Sequence, residues 1–143
     1  DKEYAYSIGK VPAVTYFLLR RNDNKMVGTI DLRLELNDYL RNFGGHIGYS
    51  IRPTERRKGY NKINLYLCLL EAQKNGLDEV LITCADYNDG SRNSIKSFDG
   101  VLEKTNYDEL DGETMELYWI DVNTAINKYR NEFEKFIGRG DIT

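Results

Sequence analysis

The segment Gly45-His46-Ile47-Gly48-Tyr49-Ser50-Ile51-Arg52-Pro53-Thr54-Glu55-Arg56-Arg57-Lys58-Gly59-Tyr60-Asn61 constrains this chain more than any other. Apolar residues alternate at Ile47, Tyr49 and Ile51, the period of a strand with one buried face. Pro53 stops that strand and an amphipathic run starts near Asn61, so the basic turn between them lies at a helix N-terminus. Unpaired backbone amides at such a terminus attract anions. Gly59 permits close backbone approach, and Arg56, Arg57 and Lys58 add charge that a diphosphate would neutralise. The plainer alternative is a solvated surface loop. Neither Gly-x4-Gly-Lys-Ser/Thr nor Gly-x-Gly-x-x-Gly occurs, which argues against ATP and NAD as ligands.

A chain of 143 residues is the size of one domain, here residues 1–143, and long enough to bury one core. With 41% hydrophobic and 30% charged residues it falls in the globular range. A net charge of −3 argues against a general nucleic-acid binder, so the local basic turn suits a small anionic ligand. Cys68 and Cys84 fall on an expected helix and an expected strand, as buried reduced thiols of a cytoplasmic protein would. Two cysteines and one histidine with no close ligand pair predict no metal site. No apolar run reaches membrane-spanning length and no signal-peptide pattern opens the chain, so no membrane association is expected. The first residue is not methionine, and the expectation is that part of an N-terminal strand and helix region is absent.

Val14 to Arg21 and Met26 to Leu36 read as a β-hairpin around Asn22-Asp23-Asn24-Lys25, and Leu36 to Gly45 as a loop returning to the strand before the basic turn. From Asn61 to Lys74 apolar residues cover a wide helical face, stopped by Asn75-Gly76. Glu79 to Cys84 is a short, nearly continuous apolar strand, which a helical crossover would place parallel in mid-sheet. A short helix over Ser94 to Phe98 and a closing hairpin of Val101 to Leu110 with Glu113 to Val122 follow. Thr124 can cap a last amphipathic helix, residues 124–138, whose apolar face packs on this domain, meets a second copy in a homodimer, or replaces missing N-terminal structure.

This order of elements and the turn Arg56-Arg57-Lys58-Gly59-Tyr60-Asn61 resemble the GCN5-related N-acetyltransferase (GNAT) superfamily, whose acyl-CoA loop reads Arg/Gln-x-x-Gly-x-Gly/Ala. Together with Gly45-His46-Ile47-Gly48-Tyr49, Arg52-Pro53-Thr54-Glu55-Arg56, Leu81-Ile82-Thr83-Cys84, Asn88-x-x-Ser91 and Asp99-Gly100-Val101-Leu102-Glu103, it is similar to a bacterial branch of acetyltransferases, from about Val11 to Val122. The resemblance implies an α/β (α+β) fold: a mixed, mostly antiparallel sheet with one central parallel pair flanked by helices, plus the C-terminal helix. It implies that the amides of Arg57, Lys58, Gly59, Tyr60 and Asn61, opened by Arg56, hold the CoA diphosphate. Ser50 and Ile51 would line the pantetheine arm where a β-bulge splays two strands, and Asn88 and Ser91 would form a second CoA-contacting segment. Read from the residues alone, Asn88 and Ser91 serve equally well as loop and helix cap. Two departures stand out. Asn61 replaces the small residue that ends the loop, and the family's frequent tyrosine, a proton donor to the thiolate, falls on Ile95.

Acetyl transfer to an amine needs a deprotonated nucleophile, a polarised carbonyl and a proton for the departing thiolate. Glu35, ending the second strand, and His46, opening the third, are the candidate bases; a solvated carboxylate and a structural histidine are the alternatives. Tyr87 and Tyr107 could supply the proton in place of Ile95, and Asp31 and Arg33 could face an acceptor cleft or water. The resulting expectation is an acetyl-CoA-dependent N-acetyltransferase acting on a small-molecule or peptide amine. A CoA-binding module without catalysis is the runner-up, and a general anion-binding or interaction domain the third reading.

Overall fold

The structure is a computed structural model, and it describes residues 11–20, 22–52, 54, 56 and 60–134. Strands β1 (Ala13–Leu19), β2 (Met26–Arg33), β3 (Ile47–Ile51), β4 (Glu79–Ala85), β5 (Val101–Asp108) and β6 (Glu113–Asp121) form one sheet in the order β1-β2-β3-β4-β6-β5. All neighbours are antiparallel except β3 and β4, which are parallel. Helix α1 (Tyr60–Lys74) makes the crossover between them, α2 (Asp89–Ser97) follows β4, and α3 (Val122–Phe133) follows β6. This is the mixed sheet with one central parallel pair that the sequence predicts.

Alternation along the strands builds the core. Leu32, Ile47, Ile82, Tyr118 and Ile120 turn to one face of the sheet and join Leu65 and Leu69 of α1, Ile95 of α2 and Ile126 and Phe133 of α3 in a single buried cluster. Asn64 of α1 sits within this layer and donates to the Thr29 carbonyl (3.2 Å), tying helix to sheet above Gly28. Gly28 is required there, because a Cβ would lie 2.7 Å from the Ser50 carbonyl oxygen.

Four details differ from the sequence reading. The predicted loop over Leu36 to Gly45 contains a π-helical turn, Leu40–Gly44, started by Asn37 accepting from the Leu40 amide (2.9 Å) and closed by the Gly45 amide on the Leu40 carbonyl (2.6 Å). Helix α2 starts at Asp89, not Ser94, since Asn88 caps it by accepting from the Ser91 amide (3.1 Å). Helix α3 starts at Val122, because Asp121 rather than Thr124 is the cap, accepting from the Thr124 amide (2.9 Å). The end predicted for this helix, residues 135–138, lies outside the described residues. Finally, β3 pairs with β2 in unbroken register from Gly28↔Ile51 to Leu32↔Ile47, with no bulge.

The C-terminal helix packs on its own domain. Phe133 is buried, Tyr129 donates to the Ser97 carbonyl (2.5 Å), and Lys128 pairs with Asp99 (2.9 Å). Among the described residues, Ala125, Ile126 and Phe133 of the apolar face are thus covered within the chain. No helix among the described residues is long and apolar enough to cross a membrane.

Candidate active site

The site arises where the sheet comes apart. Strand β4 pairs with β6 along its whole length, from Glu79↔Asp121 to Ala85↔Met115, but with β3 only at Ile47↔Ile82. Beyond that pair the strands diverge. The β2–β3 ladder is framed by the Arg33 amide on the His46 carbonyl and the Arg52 amide on the Val27 carbonyl. Antiparallel alternation then spends the main-chain groups of Gly48 and Ser50 on β2 and turns those of Tyr49 and Ile51 toward β4. On the facing strand, Val122 to Asp78 and Asp86 to Thr114 frame the ladder with β6, which turns Thr83 and Ala85 toward β3. Two strand edges therefore face each other: the Ile51 carbonyl is taken by Arg56 and the Ala85 carbonyl by the Asn88 amide (2.9 Å), while the Tyr49 amide and carbonyl, the Ile51 and Ala85 amides and the Thr83 carbonyl turn to the gap.

A cleft of about 760 Å³ occupies the gap. Of the residues predicted to bind the cofactor, Ser50, Ile51, Arg56, Tyr60, Asn61, Asn88 and Ser91 all line it. Arg56 is held at its mouth by donating Nε–H to the Ile51 carbonyl (3.2 Å). Asn61, the departure from the family's small residue, turns its amide toward Ser94 Oγ of α2 (3.4 Å). Arg57, Lys58 and Gly59 lie outside the described residues.

Neither predicted base is among the residues lining the cleft. His46 is buried in the seam at the closed end, where its Nδ1 accepts the Leu81 amide (2.9 Å) while its own amide donates to the Leu81 carbonyl (2.7 Å). Burial, then the nearby Arg33 guanidinium, lowers its pKa to about 4, so it is neutral at physiological pH with one lone pair already committed. Its geometry is that of a pin joining β3 to β4. Glu35 is exposed in a bend just past β2. Tyr107 is exposed on β5 and also outside the cleft lining, and Ile95 is fully buried in the core.

Other chemical groups do line the cleft. Glu113, the first residue of β6, accepts a hydrogen bond from the Tyr87 hydroxyl (2.5 Å), and both face the cavity. That bond, with the charge of Glu113 itself, raises the Tyr87 pKa. Tyr49 reaches across from β3 to share a short hydrogen bond with Ser91 Oγ, and burial raises its pKa, so its hydroxyl stays protonated. Outside the cleft lining, Arg92 of α2 donates Nε–H to Glu116 Oε1 (2.7 Å) and Nη2–H to Oε2 (3.2 Å), while Tyr118 donates to the same carboxylate (3.1 Å). Cys84 is a buried free thiol whose pKa burial, then Glu116, pushes up to about 12, which makes it a poor nucleophile. Sequence reading missed Glu113. It is the β4–β6 register, Ala85↔Met115, that sets it beside Tyr87, and the sequence carries no local sign of that register.

A parted parallel pair with a helix N-terminus at its mouth is the arrangement that the resemblance to the acyltransferases implies. Residues 1–98 match the Acetyltransferase (GNAT) family, and the chain belongs to that family. No curated protein matches the sequence. Among solved structures, the chain is similar to the ribosomal-protein-S5-alanine acetyltransferase of Vibrio fischeri (17% identity, TM-score 0.65, covering 78% of this chain and 62% of that one). It is also similar to the spermidine/spermine N-acetyltransferase SpeG of Vibrio cholerae (14% identity, TM-score 0.65, 87% and 76%). A GNAT-family acetyltransferase of Bacillus anthracis superposes with a TM-score of 0.59 at 17% identity (76% and 66%). The chain thus spans less than two thirds of the length of the first of these structures, and at such identities the likeness establishes the fold.

Proposed function

We propose that this chain, as a single domain of residues 1–143, is an acetyl-CoA-dependent N-acetyltransferase that delivers an acetyl group to a small-molecule or peptide primary amine in a ternary complex. The observation that carries this reading is the divergence of β3 and β4 after one pair, which leaves the Tyr49 amide and carbonyl, the Ile51 and Ala85 amides and the Thr83 carbonyl facing a cleft. Such groups need partners, and an amide-bearing pantetheine arm would supply them. In this reading the amides from Arg57 to Asn61 and the Arg56 side chain hold the diphosphate, with Asn88 and Ser91 at the second contact. Two buried free thiols suit a reducing, cytoplasmic setting.

When bound, acetyl-CoA supplies an activated thioester, so the protein needs only to position an amine, accept one proton and return another. Glu113 accepts the proton from the attacking nitrogen, directly or through water, with the Tyr87 hydroxyl holding its carboxylate in place. As the new C–N bond forms and the C–S bond breaks, the Tyr49 hydroxyl protonates the departing sulfur and recovers its proton from solvent through Ser91. Neither His46 nor Glu35 takes part.

The second reading, a CoA-binding module without catalysis, is favoured by Ile95, a core residue where the family often has a tyrosine. Calorimetric titration with acetyl-CoA, CoA and ADP, followed by thiol-release assays across amines, separates the two. The acetyltransferase reading expects acetyl-CoA to bind better than ADP and Glu113→Gln to lower kcat about 100-fold with acetyl-CoA affinity intact. Binding without turnover of any amine would favour the module.

A further inference from the structure

Arg33 is the last residue of β2, and it lines the cleft at its closed end. Its Nη1 donates to two main-chain carbonyls, Gly44 O and Gly45 O, both at 3.2 Å. Those two bonds use both Nη1 hydrogens of the five that a guanidinium carries, and leave the Nε and Nη2 edge unspent. That edge is the one that grips a carboxylate side-on with two parallel bonds. Among the described residues no carboxylate pairs with Arg33, whereas Arg20, Arg41 and Arg92 pair with Asp23, Glu103 and Glu116. Nearby Asp31 is engaged with the Thr15 hydroxyl (2.6 Å). Gly48 keeps the edge open, since a Cβ there would lie 3.2 Å from Nη2.

We propose that Arg33 selects the acceptor: its open edge binds the carboxylate of an amino-carboxylate substrate, while Glu113 in the same cleft receives the amine. The proposal rests on the acetyltransferase reading above. A role for Arg33 on the CoA phosphates is poorly placed, because Gly48, beside which it lies, is three residues or about 10 Å along β3 from Ile51 and the basic turn. An acceptor bearing only positive charge, such as a polyamine, would meet this guanidinium with repulsion.

The test uses the full chain with acetyl-CoA and matched acceptors: amino acids and dipeptides against their C-terminal amides, with O-phosphoethanolamine, ethanolamine and spermidine alongside. Carboxylate forms should exceed their amides roughly tenfold or more in kcat/KM, chiefly through KM. Arg33→Gln should erase that preference and Arg33→Lys should keep part of it, with acetyl-CoA affinity and melting temperature near those of the parent for both. Three results would overturn the proposal: amides or spermidine used as well as carboxylates, O-phosphoethanolamine preferred over every amino acid, or a carboxylate preference that survives in Arg33→Gln. Turnover of no acceptor by a protein that binds acetyl-CoA overturns it too. Failure of the parent protein to bind acetyl-CoA at all would instead remove the acetyltransferase reading beneath it.

Discussion

Strand β4 has two edges with opposite fates. Against β6 it is paired from Glu79 to Ala85, and the side chains across that seam, Cys84, Glu116 and Arg92 among them, satisfy one another. Against β3 it is paired once and then parts. The closed edge spends its polar groups on folding. The open edge keeps part of them unspent, so the sequence there is free to vary while the main chain does the binding. Substitutions on the two edges should accordingly fail in different ways.

The largest effect is expected where the edges meet. Gly45 has φ +70°, and a Cβ would lie 2.5 Å from the Leu81 carbonyl oxygen, so Gly45→Val should cost at least about 3 kcal/mol in urea unfolding. Gly76 also has a positive φ, +80°, but no atom within 4 Å; Gly76→Ala should cost only about 1 kcal/mol. Equal losses would show that backbone conformation, not the pinch between the strands, sets the cost.

The next effect is a pH dependence at the same seam. The His46 pKa is about 4 when folded, against an unfolded value of 6.5, so between these pH values the unfolded chain binds more protons. Stability should therefore be complete above about pH 6.5 and fall by up to about 3 kcal/mol as the pH drops to 4. His46→Asn should flatten that slope in urea midpoints measured at pH 7 and 4.5. A slope unchanged in the variant would locate the titration elsewhere.

On the closed edge, Arg92→Met leaves the Glu116 carboxylate without its bidentate partner and should lower the urea midpoint at neutral pH. The hydrogen bonds from Arg92 hold the Glu116 pKa below its ordinary value, so their contribution is full at neutral pH and is lost as pH falls through the depressed pKa. The parent and the variant should converge in acid. On the open edge, Ser50→Ala removes only an exposed bond with Thr29 (2.9 Å) and should change stability by less than about 0.5 kcal/mol, with little change in acetyl-CoA affinity.

The contrast also explains what could be read in the sequence. Ile47, Tyr49 and Ile51 announce their strand because alternate burial is written in side chains, and Asn75-Gly76 ends α1 by a turn chemistry that leaves the same trace. The parting of β3 from β4 is a main-chain event, so only the family resemblance pointed to it, and that resemblance led to a bulge that β3 does not have. His46 looked like a base because a lone imidazole carries no sign of its partner. The Leu81 amide that claims it is 35 residues away. Glu113 was hidden for a related reason, since only the register Ala85↔Met115 brings it to Tyr87. Arg33 was placed on the correct alternation, but whether that face met cleft or water depended on the turn Leu40–Gly44, which sequence reading took for a loop.

The central claim is that the open edge of the sheet holds the acyl-CoA arm through its main chain. Amide hydrogen exchange with and without acetyl-CoA tests this most directly. Slowed exchange at Tyr49, Ile51 and Ala85 with acetyl-CoA, and much less with ADP, is the predicted result. Protection confined to the α1 N-terminus, or equal for both ligands, would contradict it.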